Sequence, residues 1–203
     1  MRRTKTFITA AAVLTLTLSL TGCQAATQAV SDLVGQAQQQ SDTQAASPSE
    51  KRPATLRRIV DGDTITVEPS TDFPATDKNG TEHTIRLLGI DTPELNKMSG
   101  EEPECGAQEA ANYLGDIVHA GEQVTVVFDA RSDHTDRFGR SLAYLELSDG
   151  TDLAHTLVVE GFAEAWYPPS EPAPERYSSY ASAEQASVAA NVGQHAFCAT
   201  IGR

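Results

Sequence analysis

The sequence predicts an α+β fold of five strands and three helices gathered into one domain. Two β-branched runs flank an Asp-Gly turn near residue 61, and apolar residues recur at spacings of three and four between Ala107 and Val118. Turn residues separate each such segment from the next. A chain of 203 residues, 39% hydrophobic and 21% charged, has the composition of a globular protein and room for one domain or at most two.

Part of the chain lies outside that domain. Residues 1–22 open with Arg2, Arg3 and Lys5, continue as an apolar and threonine-rich run from Phe7 to Leu20, and end on small residues before Cys23. This is the shape of an export signal. Its run of about 14 residues falls short of the ~18–20 that a spanning helix needs. Leu20-Thr21-Gly22-Cys23 resembles the bacterial lipobox, which implies cleavage before Cys23 and acylation of that cysteine. An ordinary secretory signal with a nearby cysteine is the alternative. Residues 23–53 hold few large apolar side chains, too few to offset the entropy of ordering. They are expected to form a disordered tether reaching roughly 30 Å, which leaves residues 54–203 to the fold. The protein is then expected outside the cytoplasm, lipid-anchored to the bacterial cell membrane through Cys23 or released from it, and monomeric.

Strands are expected at Leu56 to Val60 and Thr64 to Val67, joined by Asp61-Gly62-Asp63 as a hairpin. The looser stretch from Pro69 to Gly80 reads as a loop. His83 to Ile90 reads as a third strand, closed by Asp91-Thr92-Pro93-Glu94. Ala107, Ala110, Ala111, Leu114, Ile117 and Val118 share one face of a helix ending at Gly121. Glu122 to Phe128 and Arg140 to Leu147 return to strand character. Thr151 or Asp152 can cap a second helix carrying Leu153, Leu157 and Val158 and ending at Gly161. An alanine-rich third helix runs from about Tyr177 to Asn191 and stops at Gly193.

The formal net charge is −13, and removal of residues 1–22 lowers it to −16. Affinity for nucleic acid ordinarily rests on Lys and Arg displacing counterions, so this charge counts against a passive nucleic-acid binder. An enzyme that holds a divalent cation at the point of contact is less affected. With Cys23 assigned to lipid, Cys105 and Cys198 remain, and an exported chain with two cysteines commonly joins them. Such a bridge would stabilise the fold by about 4–5 kcal/mol on the chain-entropy view; two separate buried thiols are the alternative.

Asp63 and Asp91 sit where strands turn or end, with Glu94 three positions after Asp91. Hard oxygen donors from separate segments suit Ca²⁺ or Mg²⁺ rather than zinc, although each alone reads as an ordinary turn residue. Arg86 interrupts the apolar run Ile85, Leu87, Leu88, so it points to solvent or into a groove where its guanidinium could grip phosphate. Arg140 follows Phe138-Gly139 just ahead of a strand. The five histidines show no paired zinc spacing, and no Gly-x-Ser-x-Gly elbow or phosphate-binding glycine loop occurs. Trp166-Tyr167 before Pro168-Pro169 reads as a base-stacking platform or as an aromatic pair at the core edge.

Three blocks taken together are more specific. Ile59-Val60-Asp61-Gly62-Asp63-Thr64, then Ile85 to Glu94, then Asp136-Arg137-Phe138-Gly139-Arg140-Ser141-Leu142-Ala143-Tyr144 are similar, in order, to the signature blocks of the thermonuclease family. The resemblance spans about Leu56 to Gly193. It implies that the five strands close into an OB-fold barrel beside three helices, and that the protein hydrolyses phosphodiester bonds of DNA and RNA with Ca²⁺. Carried over position by position, Asp63 and Asp91 are the calcium carboxylates and Thr92 offers its carbonyl. Glu94 is the general base or the residue that orients the attacking water, and Arg86 and Arg140 hold the phosphate. Arg137, Phe138, Trp166 and Tyr167 are expected to contact substrate.

Some positions depart from the pattern. Phe138 replaces a tyrosine that contacts the nucleotide, Asp77-Lys78-Asn79-Gly80 lengthens a loop, and Asn96 to Glu104 inserts acidic residues after the site. The cysteine pair also lies outside it. Two other functions compete: a non-catalytic OB-fold module that binds single-stranded nucleic acid or a surface partner, and a structural lipoprotein. The first predicts losses among Asp63, Arg86, Asp91, Thr92, Glu94 and Arg140, all of which are present. The second leaves clustered charges without a ligand, a costly arrangement to maintain.

Overall fold

The computed structural model describes residues 49–73, 82–95 and 100–202. The export signal, Cys23, the tether up to residue 48, the Asp77 to Gly80 loop and Asn96 to Ser99 lie outside the described residues.

Strands β1 (Glu50–Ile59) and β2 (Thr64–Pro69) form the antiparallel hairpin. Val60 closes its turn by donating its N–H to Thr64 O at 2.8 Å. β1 starts at Glu50, ahead of the β-branched run, because its two halves have different partners. Glu50 to Thr55 pair with β5 (Gln123–Phe128), while Ala54 to Ile59 pair with β2. A bulge between Leu56 and Arg58 bends the strand from one partner to the other. Residues 50–53, assigned to the tether by composition, therefore belong to the sheet; the charged side chains of Glu50, Lys51 and Arg52 suit the outside of a barrel.

β3 (His83–Leu87) pairs antiparallel with β2 and parallel with β6 (Ser141–Glu146), and β6 pairs antiparallel with β5. The order β1-β2-β3-β6-β5 closes a five-stranded barrel of the OB type. Ala54, Leu56, Ile65, Val67, Ile85, Leu87, Val126, Phe128, Ala143 and Leu145 are buried in the core it shares with Leu114, Leu153 and Leu157 of the helices.

The third strand ends sooner than expected. Gly89, at φ +85°, turns the chain where only glycine is unstrained. Ile90–Asp91 then forms β4, which pairs with β7 (Glu164–Ala165) as a separate two-stranded ribbon. Strands of two residues carry no readable periodicity, so neither was predicted.

The helices are α1 (Ala107–Ile117), α2 (Leu153–Val159) and α3 (Tyr177–Ala190). α1 stops before Gly121 because Val118 is already extended and Gly121 donates its N–H to Leu56 O at 2.8 Å. That bond makes residues 118–121 a return into β5. Asp152 caps α2 by accepting from His155 N–H at 3.3 Å. α3 ends on Asn191 at φ +54°, a conformation asparagine tolerates, and a 3₁₀ turn (Gly193–Ala196) follows. Cys105, just before α1, and Cys198, just past that turn, form a disulfide with Cα atoms 5.8 Å apart.

Candidate active site

The hairpin turn delivers Asp63 to the foot of β2, with its side chain buried. Asp63 Oδ2 accepts from Thr92 N–H and Thr92 Oγ1, each at 3.0 Å, and Oδ1 accepts from Thr64 Oγ1 at 3.1 Å. Segments 29 positions apart are thus locked at one carboxylate. Close packing enforces the contact: a Cβ on Gly62 would lie 2.7 Å from Thr92 Oγ1 and 2.9 Å from Ala110 Cβ.

Register places Arg86 opposite Thr64 across the β2–β3 pair. Its guanidinium, almost wholly buried, donates from Nη1 to Leu87 O at 3.0 Å and Ile90 O at 2.9 Å. From Nη2 it reaches Asp91 Oδ1 at 2.5 Å and Asp63 Oδ2 at 3.0 Å. Arg86 is thus the shared counter-charge of two carboxylates as well as a wall of the cleft described below.

Negative charge still exceeds positive here. Burial, followed by the charge of Asp63, pushes the Asp61 carboxyl above its ordinary value. Glu94, exposed at its rim, is raised by partial burial and then by the charges of Asp63 and Asp61. Carboxylates that disfavour one another's ionisation in this way suit a hard divalent cation. Among the described residues no three His, Cys, Asp or Glu side chains gather as a ready-made metal cage, so such a cation would need carbonyl or water oxygens beside Asp63 and Asp91. That mixture is ordinary for Ca²⁺ and Mg²⁺.

Arg140 approaches from the turn before β6. Asp136 accepts from Arg140 Nε at 2.7 Å, and from Arg140 N–H at 2.9 Å and Phe138 N–H at 2.8 Å. Arg140 Nη1 also donates to Thr64 Oγ1 at 3.4 Å, which ties the guanidinium to the start of β2. Phe138 is 69% exposed, with Arg137 Cζ 4.6 Å and Arg140 Cζ 5.5 Å from its ring centroid. An exposed aromatic ring thus lies against two cations.

Arg86, Asp91, Glu94, Arg137, Phe138, Arg140, Trp166 and Tyr167 all line one open cleft of about 720 Å³. Asp63 and Thr92 do not line it; Asp63 pairs with Arg86, which does, and accepts from Thr92. The backbone N–H of Trp166 donates to Gly89 O at 2.9 Å, and Tyr167 packs edge-on against Tyr177. Cys23 lies outside the described residues.

Sequence reasoning missed several neighbours. Asp136 had a signal, since an aspartate three positions before a turn glycine commonly caps that turn. Glu164 had none: it stands opposite Asp91 only because β7 pairs with β4. Gly202 lies against both, a Cβ there falling 3.1 Å from Asp91 Oδ2 and 3.0 Å from Glu164 Oε1. Glu104, which binds the backbone of Glu94, was read only as part of an acidic insertion.

The chain is similar to known nucleases. The family model of staphylococcal nuclease homologues matches residues 84–193, a span that begins after Asp63. The endonuclease YncB of Bacillus subtilis is 33% identical over 172 residues, covering 77% of this chain and 75% of that protein. The SPbeta prophage-derived endonuclease YokF of the same organism is 37% identical over 56% of this chain and 34% of its own length. A thermonuclease of Staphylococcus intermedius is 32% identical over 57% of this chain and 61% of its own.

Proposed function

Because the chain belongs to the family of staphylococcal nuclease homologues, and so is a phosphodiester hydrolase acting on nucleic acid, we propose that it is a calcium-dependent endonuclease that cleaves DNA and RNA outside the cytoplasm. One observation supports this reading above others: Arg86, Arg140, Asp91 and Glu94 line a single open cleft, and the buried Asp63 is paired with Arg86 behind it.

Attack of water on a phosphodiester builds negative charge on the non-bridging oxygens. Arg140, with its Nε fixed by Asp136, turns its remaining donors to that charge, and Arg86 adds a second guanidinium from the floor. Asp63, Asp91 and the carbonyl of Thr92 would hold calcium, which when bound supplies positive charge at the phosphate. Glu94 accepts a proton from the attacking water as the new P–O bond forms and the opposite P–O bond breaks. Its raised carboxyl suits that task, because a base works best when its proton affinity approaches the operating pH. Phe138, Trp166 and Tyr167, which line the cleft together with Arg137, would offer aromatic rings on which unpaired bases can stack.

The location rests on sequence features. An export signal at residues 1–22, acylation of Cys23 and a tether up to the barrel would hold a monomeric enzyme at the outer face of the cell membrane. Incorporation of labelled fatty acid that disappears in Cys23→Ala is the expected result; unlabelled, cytoplasmic protein would contradict it.

The metal is tested by incubating the purified protein with denatured DNA or RNA in calcium, in magnesium and with chelator. Cleavage in calcium that chelator abolishes is expected. Undiminished cleavage in chelator would sink calcium dependence, and a folded protein inert in every metal would sink the nuclease.

A further inference from the structure

Glu94 is held at both backbone polar groups by one residue. Its N–H donates to Glu104 Oε2 at 2.9 Å, and its carbonyl accepts from Glu104 N–H at 3.0 Å. These two bonds close the neck of the segment between residues 94 and 104. Glu94 is exposed while its backbone is held on both sides by Glu104, so the clamp sets where the side chain starts.

The clamp is itself anchored twice. Glu104 O accepts from Ala107 N–H at 3.1 Å, which fixes it to the first turn of α1. The next residue, Cys105, is bonded to Cys198. Beside that bridge Gln194 donates Nε2–H to Gly106 O at 2.6 Å and its carbonyl accepts from Cys198 N–H at 2.7 Å. Gly106, at φ +84°, admits Gln194 so closely that a Cβ there would fall 2.5 Å from its side chain. Beyond the bridge, Ile201 is buried and Gly202 rests on Asp91. One covalent staple therefore fastens the neck of the Glu94 segment to a stretch of chain that abuts the other side of the site.

From this geometry we infer that Glu104 is a positioning residue for Glu94, and that the Cys105–Cys198 bridge holds the clamp in register with the cleft. The inference rests on Glu94 acting on the attacking water. A carboxylate working on water needs placement to within a fraction of an ångström, and an error near 1 Å can cost roughly 100-fold in rate. Glu104 touches no substrate; it acts through the backbone of Glu94.

The test compares the full chain with Glu104→Ala, Glu104→Gln and the Cys105→Ser/Cys198→Ser double variant. Steady-state cleavage and hydrogen exchange at the Glu94 amide are read on each. Glu104→Ala is expected to lower kcat by about 10- to 100-fold with KM within about twofold, and to speed exchange at Glu94. Glu104→Gln keeps an acceptor oxygen and is expected to restore both. The double variant should resemble Glu104→Ala in exchange and kcat, under conditions where circular dichroism shows it folded. Wild-type kcat in Glu104→Ala would overturn the inference, as would unchanged Glu94 exchange. An inactive wild-type protein would overturn the hydrolytic reading and this inference with it, whereas an active wild type beside an equally active Glu104→Ala overturns this inference alone.

Discussion

Asp63 receives donors from Thr64, Thr92 and Arg86, so its position depends on residues from three segments meeting without slack. Gly62 shows how little slack there is, since its missing Cβ is what lets Thr92 and Ala110 close over the turn. Gly62→Ala is therefore expected to destabilise the fold by about 1–3 kcal/mol through overpacking and to lower cleavage more than that loss explains, because Asp63 moves. Thermal midpoints beside kcat check this; unchanged values in both would refute it. The gathering of these residues was legible, since Asp63, Arg86, Asp91, Thr92, Glu94 and Arg140 stand in three ordered blocks that the fold brings to or just behind one cleft. Partners were less so. That Arg86 spends two donors on Leu87 and Ile90 carbonyls, and that Glu104 grips Glu94, follow from backbone geometry that spacing does not encode.

Among elements, α3 is tied to the barrel by a buried polar network rather than by a strong apolar stripe. Asp129, fully buried, accepts from Arg131 N–H at 2.7 Å, Glu175 N–H at 2.6 Å and the Tyr144 hydroxyl. Arg176, at the start of α3, donates to Asp152 at 2.7 Å and to Glu146. Asp129→Ala leaves these donors unpaired and is expected to cost about 3 kcal/mol, read as a lower urea midpoint with an unchanged slope. A shift under about 0.5 kcal/mol would show the network to be dispensable. Long, periodic elements such as α1, β5 and β6 were legible to within a few residues. The start of β1 was not, because Glu50 to Arg52 are charged residues, followed by Pro53, whose strand conformation comes from pairing with β5. The β4–β7 ribbon was not, because two-residue strands exist only by tertiary contact.

For the whole molecule, acid is expected to weaken the fold through Glu146. Partial burial opposes ionisation there, but hydrogen bonds from Lys51 and Arg176 prevail and hold its carboxyl below the ordinary 4.5. A group depressed in the folded state binds protons more tightly when unfolded, so its contribution is present above pH 4.5 and fades as pH falls through the folded value. Glu146→Gln should be less stable than wild type at pH 7, with the gap narrowing toward pH 3; a constant gap would contradict this. A net charge of −13 leaves substrate contact to the cleft's arginines and the proposed cation rather than to the surface at large. The barrel brings those groups together, and Glu94 is the one group there assigned to move a proton. The most direct test is therefore cleavage of denatured DNA in calcium by wild type and Glu94→Gln, with kcat and KM measured separately. A kcat lower by roughly 100- to 10,000-fold at similar KM is predicted. Equal kcat in the two proteins would show that the water is activated without Glu94.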